Sequence, residues 1–411
     1  KFAATLNDDV LGEETPPDYQ LEYVDIGDVD AAVGIIGTTP YRFADAPSRA
    51  RRRVRHGDVI ISTVRTYLQA IASIDHPPNN LIASTGFAVI RPITKILDRD
   101  FCRFALREPG FLAEVQMRSF GVSYPAINAT EIGDIPISLP SLKEQRCIAD
   151  YLDCETARID ALVSAKERVL ELLAEKRRAL ITRAVTRGID WKVALTDSTV
   201  EWLPEVPQHW ARTKIRRLFR QTKRLGYPEL PVLSVYRDFG VIERSSRDDN
   251  FNRVPEDLEK YQLVEVGDLV INKMKAWQGS LGISTLRGIT SPDYVVFSPT
   301  HREHSEFLHH FLRNRMLTTV YRIMSNGIRT DQWRLEPDHF GGLDVFLPPR
   351  DEQRAIVQYV AAKISKLDTL VGVTKRTIVL LKEHRSALIA AAVTGQIEIT
   401  ERDADGISGH H

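Results

Sequence analysis

The chain has 411 residues, of which 43% are hydrophobic and 27% are charged, a balance typical of folded domains and not of disordered chains. Its 55 basic and 55 acidic side chains cancel, which argues against a general nucleic-acid coat protein but not against local DNA-binding surfaces. No apolar run approaches the roughly 18 residues that a membrane-spanning helix needs.

Residues 1–138 are predicted to form a first domain whose natural start is missing, because the sequence has no initiator Met. Val54–Ile61 contains a Gly-Asp turn that enters a β-branched run, and Phe87–Pro92 is a second apolar run, so both predict strands. Phe101–Met117 has helical character, and a glycine-containing loop follows at Ser119–Val122.

Residues 139–190 are predicted to be a long helix. Pro140 precedes its start, the interior is rich in Ala, Leu, Glu, Lys and Arg without proline, and Gly188 follows the last apolar turn. The apolar side chains recur mostly at steps of three, four and seven, which is typical of a coiled coil. They are Ile148, Leu152, Ile159, Leu162, Val169, Leu173, Leu180 and Ala184.

Residues 191–346 are predicted to form a second domain that weakly repeats the first. Val264–Ile271 again contains a Gly-Asp turn before a strand, and Tyr294–Pro299 matches the second strand. A helical stretch at Phe307–Met324 and a glycine loop at Ser325–Ile328 follow in the same order. The two domains are therefore predicted to share one plan.

Residues 347–398 are predicted to be a second long helix, followed by a tail at 399–411. This helix aligns with the first without a gap, and about 21 of roughly 48 positions are identical, so the chain contains a duplication. Each helix has a long apolar face to bury, and its copy is the obvious partner. We therefore predict an α+β fold in which two mixed α/β domains are separated by two long helices, packed as an antiparallel coiled coil with a pseudo-two-fold axis.

The duplicated helices, each opening on Leu-Pro and Glu-Gln-Arg after a mixed α/β domain, resemble the specificity subunit of type I restriction–modification enzymes. Glu201–Trp210 is similar to the entry into that family's recognition domains, and so is the segment Gly267–Gly279. The likeness extends over essentially the whole chain, although no copy of Glu201–Trp210 precedes the first domain. It implies two target-recognition domains that each read half of a split site in double-stranded DNA.

The same resemblance implies that the helices fix the spacing of the domains and bind two methyltransferase subunits, with a motor-nuclease subunit as a further partner. S-adenosylmethionine, ATP and Mg²⁺ are then expected on the partners, with no cofactor on this chain. The Glu-Gln-Arg trio at the start of each helix is the candidate docking site. A role in the helix itself is the alternative, because the Glu suits the positive end of the helix dipole and the Arg could form a local ion pair. These residues are Glu144, Gln145, Arg146, Glu352, Gln353 and Arg354.

Two basic stretches support DNA binding through phosphate contacts, although a solvated surface is the plainer explanation of either one alone. They contain Arg42, Arg49, Arg51, Arg52, Arg53, Arg55 and Arg65 in the first domain, and Arg212, Lys214, Arg216, Arg217, Arg220, Lys223 and Arg224 in the second.

Base reading needs planar donors and amides beside the shared turns and strands. The first domain offers Thr63, Arg65, Tyr67, Gln69, Ser123, Tyr124 and Asn128, and the basic residues Arg51 and Arg53 complete its predicted interface. The second offers Asn272, Lys273, Lys275, Trp277, Gln278, Arg329, Thr330, Gln332 and Arg334. Trp277 and Trp333 fit a core better than a DNA wedge.

No catalytic residue and no metal site is predicted. The sequence has no Walker lysine motif, Rossmann glycine triplet or Asn-Pro-Pro-Tyr methyltransferase motif. Asp190-Trp191-Lys192 matches only a short part of a nuclease pattern, and His301 and His304 are better explained as polar surface than as metal ligands.

The three cysteines lack zinc-ligand spacing and suit free thiols in the cytoplasm. Two other classes of function stay open: a coiled-coil scaffold without sequence-specific DNA contact, and an enzyme with an unrecognised site.

Overall fold

The structure is a computed structural model that describes residues 2–30, 33–247, 255, 257–326 and 333–400. The chain forms two compact units that share the two long helices. Unit 1 comprises Lys1–Arg168 and Thr374–His411, and unit 2 comprises Val169–Val373. Within the described ranges, no helix is both long enough and apolar enough to cross a membrane.

Among its described residues, unit 1 begins with ten strands and continues with three short helices before the first long one. The strands are β1 (Ala4–Leu6), β2 (Gln20–Val24), β3 (Val29–Asp30), β4 (Gly34–Ile35), β5 (Thr39–Arg42), β6 (Ala50–Arg53), β7 (Val59–Ser62), β8 (Ile71–Ser73), β9 (Leu81–Ser84) and β10 (Phe87–Pro92). The helices are α1 (Arg99–Ala105), α2 (Pro109–Arg118), α3 (Ala129–Gly133) and the long α4 (Leu142–Arg187).

Two four-stranded sheets form the strand layer of unit 1. One has the order β1-β10-β7-β8 and is antiparallel, and the other has the order β5-β2-β9-β6 with a parallel β2–β9 pair. Val59, Ile60 and Ile61 are all buried, because both faces of β7 are covered. The Asp98 carboxylate begins α1 by accepting the N–H groups of Asp100 and Phe101.

Unit 2 contains fourteen strands among its described residues. They are β11 (Leu195–Asp197), β12 (Glu205–Pro207), β13 (Ala211–Lys214), β14 (Phe219–Thr222), β15 (Leu233–Tyr236), β16 (Gly240–Glu243), β17 (Gln262–Val264), β18 (Leu269–Asn272), β19 (Leu281–Ile283), β20 (Gly288–Thr290), β21 (Tyr294–Pro299), β22 (Ser325–Asn326), β23 (Arg334–Leu335) and β24 (Asp344–Leu347). Its further helices are α5 (Ile215–Leu218), α6 (Ser305–Leu312), α7 (Arg315–Met324), α8 (Pro337–Gly342) and the long α9 (Arg350–Val393).

The duplication extends to the register of the central sheets. The unit 2 sheet has the order β14-β21-β18-β19, which matches β1-β10-β7-β8 strand for strand. Ile60 pairs with Val89 in unit 1, and Val270 pairs with Val296 in unit 2. The weak sequence similarity therefore reflects one shared sheet, in which the β-branched run after each Gly-Asp turn is a central strand.

The Gly-Asp turns close on a buried carboxylate. Asp58 accepts the backbone N–H of Arg55 at 2.9 Å and pairs with the Arg91 guanidinium at 2.7 and 2.8 Å. Asp268 likewise accepts the N–H of Glu265 at 2.8 Å and pairs with Arg224, and its burial raises its pKa. The two aspartates thus have a structural role, because a buried charge requires partners.

The long helices pack antiparallel within each unit. In unit 1, Asp160 on α4 pairs with Arg385 on α9 at 3.1 Å, and further along α4 Glu167 contacts Lys382 at 3.8 Å. In unit 2, Arg177 pairs with Asp368 at 2.5 Å. Asp160 and Asp368 occupy corresponding positions in the duplicated helices, and so do Arg177 and Arg385, so the two ion pairs are counterparts.

The predicted α+β class with two long antiparallel helices is confirmed. One part of the predicted apolar seam is wrong. Leu162 and its counterpart Leu370 are 45% and 52% exposed, whereas Val163 is 8% exposed. A straight helix has 3.6 residues per turn and drifts away from a strict seven-residue repeat, which carries Leu162 off the packed face.

Candidate DNA interface

In unit 1 the loop between β7 and β8, residues 63–70, carries most of the predicted base-reading side chains; we call it turn loop 1. Thr66 is buried at its centre, while Arg65, Tyr67 and Gln69 are exposed around it. Arg65 and Gln69 both have φ of +51°, a left-handed conformation that is unusual for residues other than glycine. The loop is thus fixed by its backbone and presents these three side chains outward.

A second loop, residues 119–128, lies against turn loop 1; we call it return loop 1. The Arg65 N–H donates to the Pro125 carbonyl at 2.8 Å, and the Ile127 N–H donates to the Thr63 carbonyl at 2.8 Å. The Arg65 guanidinium lies 4.9 Å from the centre of the Tyr124 ring. The two loops therefore form one surface, which brings the predicted residues Arg65 and Tyr124 together.

The exposed tip of return loop 1 is apolar, which the sequence analysis missed. Phe120 and Tyr124 are 76% and 64% exposed, and Val122 between them is fully exposed. Gly121 has φ of +111°, which turns the chain back at this point. The available signal was the presence of large apolar residues within a Ser-Phe-Gly-Val-Ser-Tyr-Pro stretch whose other residues favour a loop.

Two predicted residues of return loop 1 differ in role. Ser123 is exposed at the tip. Asn128 is the N-cap of α3, where its side chain and that of Glu131 bond each other's backbone N–H groups. The amide of Asn128 is therefore already engaged in holding the helix start.

Unit 2 repeats the arrangement in residues 273–280, turn loop 2. The Leu335 N–H donates to the Lys273 carbonyl at 3.2 Å, which is the counterpart of the Ile127–Thr63 bond. Lys275 is exposed, and Lys273 and Gln278 are partly exposed. Gly279 ends the short helical turn with φ of +90°, where turn loop 1 has Gln69.

Two tryptophans of unit 2, Trp277 and Trp333, support turn loop 2 by packing beneath it. Trp277 donates its indole N–H to the Met274 carbonyl at 3.0 Å and packs edge-on against Trp333, with ring centres 5.7 Å apart. Both are partly buried, which agrees with a packing role. Arg334 lies beside Met274, with 3.2 Å between Nε and Sδ, whereas the predicted residues Arg329, Thr330 and Gln332 lie outside the described residues.

The basic stretch of unit 1 is largely neutralised by residues far away in the sequence. Arg53 and Arg55 lie 3.7 and 3.4 Å from the Asp9 carboxylate, and Arg52 lies 3.3 Å from Asp8. Arg51 donates to the Ala50 carbonyl at 2.9 Å. The predicted phosphate contacts by Arg51 and Arg53 would therefore compete with these partners.

The basic stretch of unit 2 is paired at its ends and open in the middle. Arg212 and Lys214 both pair with Asp344, at 3.0 and 3.1 Å, and this lowers the pKa of Asp344. Arg224 pairs with Asp268. The remaining members are exposed and have no ion pair within the described ranges: Arg216, Arg217, Arg220 and Lys223.

The glutamines of the two Glu-Gln-Arg trios are fully buried. Gln145 donates to the carbonyls of Ile96 and Pro140, at 2.9 and 2.8 Å, and accepts the Asp98 N–H at 2.7 Å. Gln353 likewise donates to the Pro348 carbonyl at 2.9 Å and accepts the backbone N–H of His304, the N-cap of α6, at 2.8 Å. Each glutamine therefore joins a long helix to the start of a short helix in its own unit, α1 for Gln145 and α6 for Gln353.

The charged members of the trios lie nearer the surface. Glu144 and Ser141 cap the start of α4 by bonding each other's backbone N–H, and these bonds lower the pKa of Glu144. Glu352 instead accepts the indole N–H of Trp210 at 3.2 Å and contacts His209 at 2.6 Å. Glu352 therefore anchors the segment Glu201–Trp210 to α9 and is engaged within unit 2.

The two arginines of the trios are exposed. Arg146 lies 3.7 Å from Asp98, and Arg354 lies 3.4 Å from Asp351. Exposed pairs of this kind are weak, so both arginines are free to exchange partners.

Metal and nuclease chemistry find no support in the described residues. No group of three or more His, Cys, Asp or Glu side chains among them is arranged to hold a metal ion. His301 and His304 precede α6 and do not share a helical face, and burial lowers the pKa of His301. The Asp190 carboxylate accepts the backbone N–H of Lys192 at 2.8 Å, which is a local turn.

Comparison with known proteins shows which family this chain resembles. A family model described as the type I restriction modification DNA specificity domain matches residues 53–172, which include both loops of unit 1. The Escherichia coli EcoDI specificity subunit is 22% identical over 346 residues, covering 79% of this chain and 76% of the relative. The Methanocaldococcus jannaschii MjaVIII specificity subunit is 21% identical over 339 residues, with 77% and 75% covered.

This chain is similar to type I restriction enzyme specificity subunits over about three quarters of its length. The predicted resemblance to that family is confirmed, and residues 53–172 match its DNA specificity domain.

Solved structures share the fold of this chain. A chain from a study of complex assembly and conformational transition in the type I R-M system has a TM-score of 0.66 at 22% identity, with 96% of each chain covered. The HsdS subunit from Thermoanaerobacter tengcongensis has a TM-score of 0.50 at 22% identity, with 96% of this chain and 95% of that chain covered.

Proposed function

We propose that this chain is a DNA specificity subunit that recognises a bipartite site in double-stranded DNA, with one half-site read by each unit. The observation that carries the proposal is the repeated loop pair. In both units a turn loop follows the central strand and is bonded to a second segment by the same backbone contact, Ile127 to Thr63 and Leu335 to Lys273. Two equivalent reading surfaces on one chain suit a site with two halves.

The chemistry of the loops supports base reading. In unit 1, Arg65 and Gln69 offer the planar donors that bind guanine and adenine edges, and Tyr67 and Tyr124 offer ring faces. In unit 2, Lys275, Gln278 and Arg334 take this role, together with Arg329, Thr330 and Gln332. Ser123, Asn128 and Lys273 are the remaining candidates, and Arg51 and Arg53 would contact phosphates after leaving their present partners.

The long helices are proposed to set the distance between the half-sites. α4 has 46 residues, so at about 1.5 Å per residue it is roughly 70 Å long. DNA rises about 3.4 Å per base pair, which gives an upper limit of roughly 20 base pairs. Two half-sites about one helical turn of DNA apart, with unread bases between them, fit within that limit.

The subunit is proposed to act in the cytoplasm inside a larger complex with two methyltransferase subunits and a motor-nuclease subunit. S-adenosylmethionine, ATP and Mg²⁺ would be bound by those partners. Among the trio residues, Glu144, Arg146 and Arg354 are the exposed candidates for docking, since Gln145, Gln353 and Glu352 are engaged within their own units.

Selection from randomised duplexes tests the proposal. The full chain, alone and with its methyltransferase subunit, should enrich two short motifs separated by a run of unselected positions. One continuous motif would contradict two reading surfaces. Absence of enrichment in both conditions would favour a coiled-coil scaffold without sequence-specific DNA contact.

Lengthening the helices tests the spacing. Seven residues, two helical turns, inserted at corresponding positions in α4 and α9 add about 10 Å, or roughly three base pairs. The unselected run should lengthen while both half-motifs stay the same. Altered half-motifs would show that the helices do more than set a distance.

A further inference from the structure

Unit 2 has an open groove of about 780 Å³ between the C-terminal end of α4 and the start of α7. Four arginines line it, Arg178, Arg183 and Arg187 from α4 and Arg315 from α7. Glu175 is the one carboxylate among the lining residues that the structure describes. The groove is therefore strongly basic, in a chain whose overall formal charge is zero.

Two of these arginines have partners that leave their charge accessible. Arg187 pairs with Glu205 at 3.0 Å and is 43% exposed. The Arg183 guanidinium lies 3.6 Å from the centre of the Trp191 ring, and this ring is 78% exposed. Arg178 and Arg315 are exposed and form no ion pair within the described parts of the chain.

The duplicated unit shows that the fold does not need these charges. The helices cross in the same way in unit 1, where Ser386 and Ala391 occupy the positions of Arg178 and Arg183. Pro109 begins α2 where Arg315 begins α7. The corresponding space in unit 1 is about 290 Å³, and the two arginines that line it are engaged within the unit, Arg107 with the Ile71 carbonyl and Arg385 with Asp160. Unit 1 has small or apolar residues at these positions and still forms the same fold. We therefore attribute the arginines of unit 2 to ligand binding and not to packing.

The position of the groove indicates which ligand. α7 lines the groove with Arg315 and Thr319. The same helix supports turn loop 2, because Thr318 packs so closely against Gly279 that a Cβ atom added to this glycine would lie 3.4 Å from Thr318 Oγ1. The groove and the reading loop thus border the same ten-residue helix. A polyanion that contacts turn loop 2 is therefore well placed to continue into the groove.

We propose that this groove binds the phosphodiester backbone of DNA flanking the half-site read by unit 2. The inference rests on the proposed function. Guanidinium groups bind phosphate oxygens through two parallel N–H donors, and an open groove admits a continuous strand. Since unit 1 lacks the four arginines, unit 2 contacts a longer stretch of duplex than unit 1 does. An acidic protein surface is the competing ligand.

The test compares the full-length wild type with the variant Arg178→Ser/Arg183→Ala/Arg315→Ala. The first two changes introduce the residues that unit 1 has at the corresponding positions. The Kd for the duplex obtained by selection is measured from 50 to 200 mM salt. Loss of three phosphate contacts should make the slope of log K against log salt shallower by roughly 2.7. Between 50 and 200 mM salt, the affinity of the variant should therefore fall roughly 40-fold less than that of the wild type. Trimming the flanking duplex on the unit 2 side should reproduce the effect in the wild type and add nothing to the variant.

The control is Lys176→Ala, which removes one exposed charge from the same helix outside the groove and should leave the slope unchanged. An unchanged slope in the triple variant, with its helical circular dichroism retained, would overturn the assignment. Loss of methyltransferase binding at an unchanged slope would assign the groove to an acidic protein surface instead. If the wild type itself selects no split motif, the proposed function fails, an outcome distinct from failure of the groove alone.

Discussion

Replacing Gln353 by alanine removes the buried amide that joins α9 to the start of α6. Three hydrogen bonds are lost, to the Pro348 carbonyl, the His304 N–H and the Glu303 carboxylate. Each such bond contributes about 1 kcal/mol net, and the change leaves the buried Pro348 and the half-buried Glu303 and His304 without this partner, so the free energy of unfolding should fall by about 3 kcal/mol. By contrast, Arg354→Ala removes an exposed side chain next to it and should change stability by less than about 0.5 kcal/mol.

Urea unfolding followed by tryptophan fluorescence measures this effect. All five tryptophans lie in unit 2, so fluorescence reports on the unit that contains Gln353. With a slope of about 1–3 kcal/mol per molar urea, the midpoint should fall by about 1 M or more. Gln145→Ala is the matched change in unit 1 and should be detected mainly by circular dichroism. An unchanged midpoint for Gln353→Ala, combined with weaker methyltransferase binding, would refute the structural role and restore the docking prediction.

Three further predictions concern the loops and one buried histidine. Gln69→Gly should stabilise the chain by up to about 1 kcal/mol in thermal unfolding, because glycine relieves the left-handed strain at φ +51° that unit 2 avoids with glycine; a lower melting temperature would contradict this. Burial and the neighbouring Arg313 lower the pKa of His309 to about 4. The neutral imidazole therefore contributes fully to stability above its unfolded pKa of about 6.5, and this contribution, at most roughly 3 kcal/mol, is lost as the pH falls towards 4. His309→Gln should flatten this part of the stability–pH curve, and an unaltered curve would exclude His309 as its source. Arg65→Ala should relax selection in one half-motif only, and Lys275→Ala in the other only, whereas relaxation of both halves by either change would contradict separate reading surfaces.

The sequence by itself determined the repeated organisation of this protein. The duplicated helices were visible because proline, glycine and the apolar period are local signals that fix where a helix begins, ends and buries a face. The Gly-Asp turns before β7 and β18 identified the central strands for the same reason. The turn loops followed, since they come directly after those strands in the chain.

Only the tertiary structure decided which charges are available to a ligand. Arg53 and Arg55 look like a basic surface in sequence, yet Asp9, more than forty residues earlier, is their partner. Gln145 and Gln353 read as surface residues beside two charged neighbours and are instead buried. Ion pairs and buried hydrogen bonds join residues that are distant in sequence, so their free energy depends on a fold that no local pattern encodes.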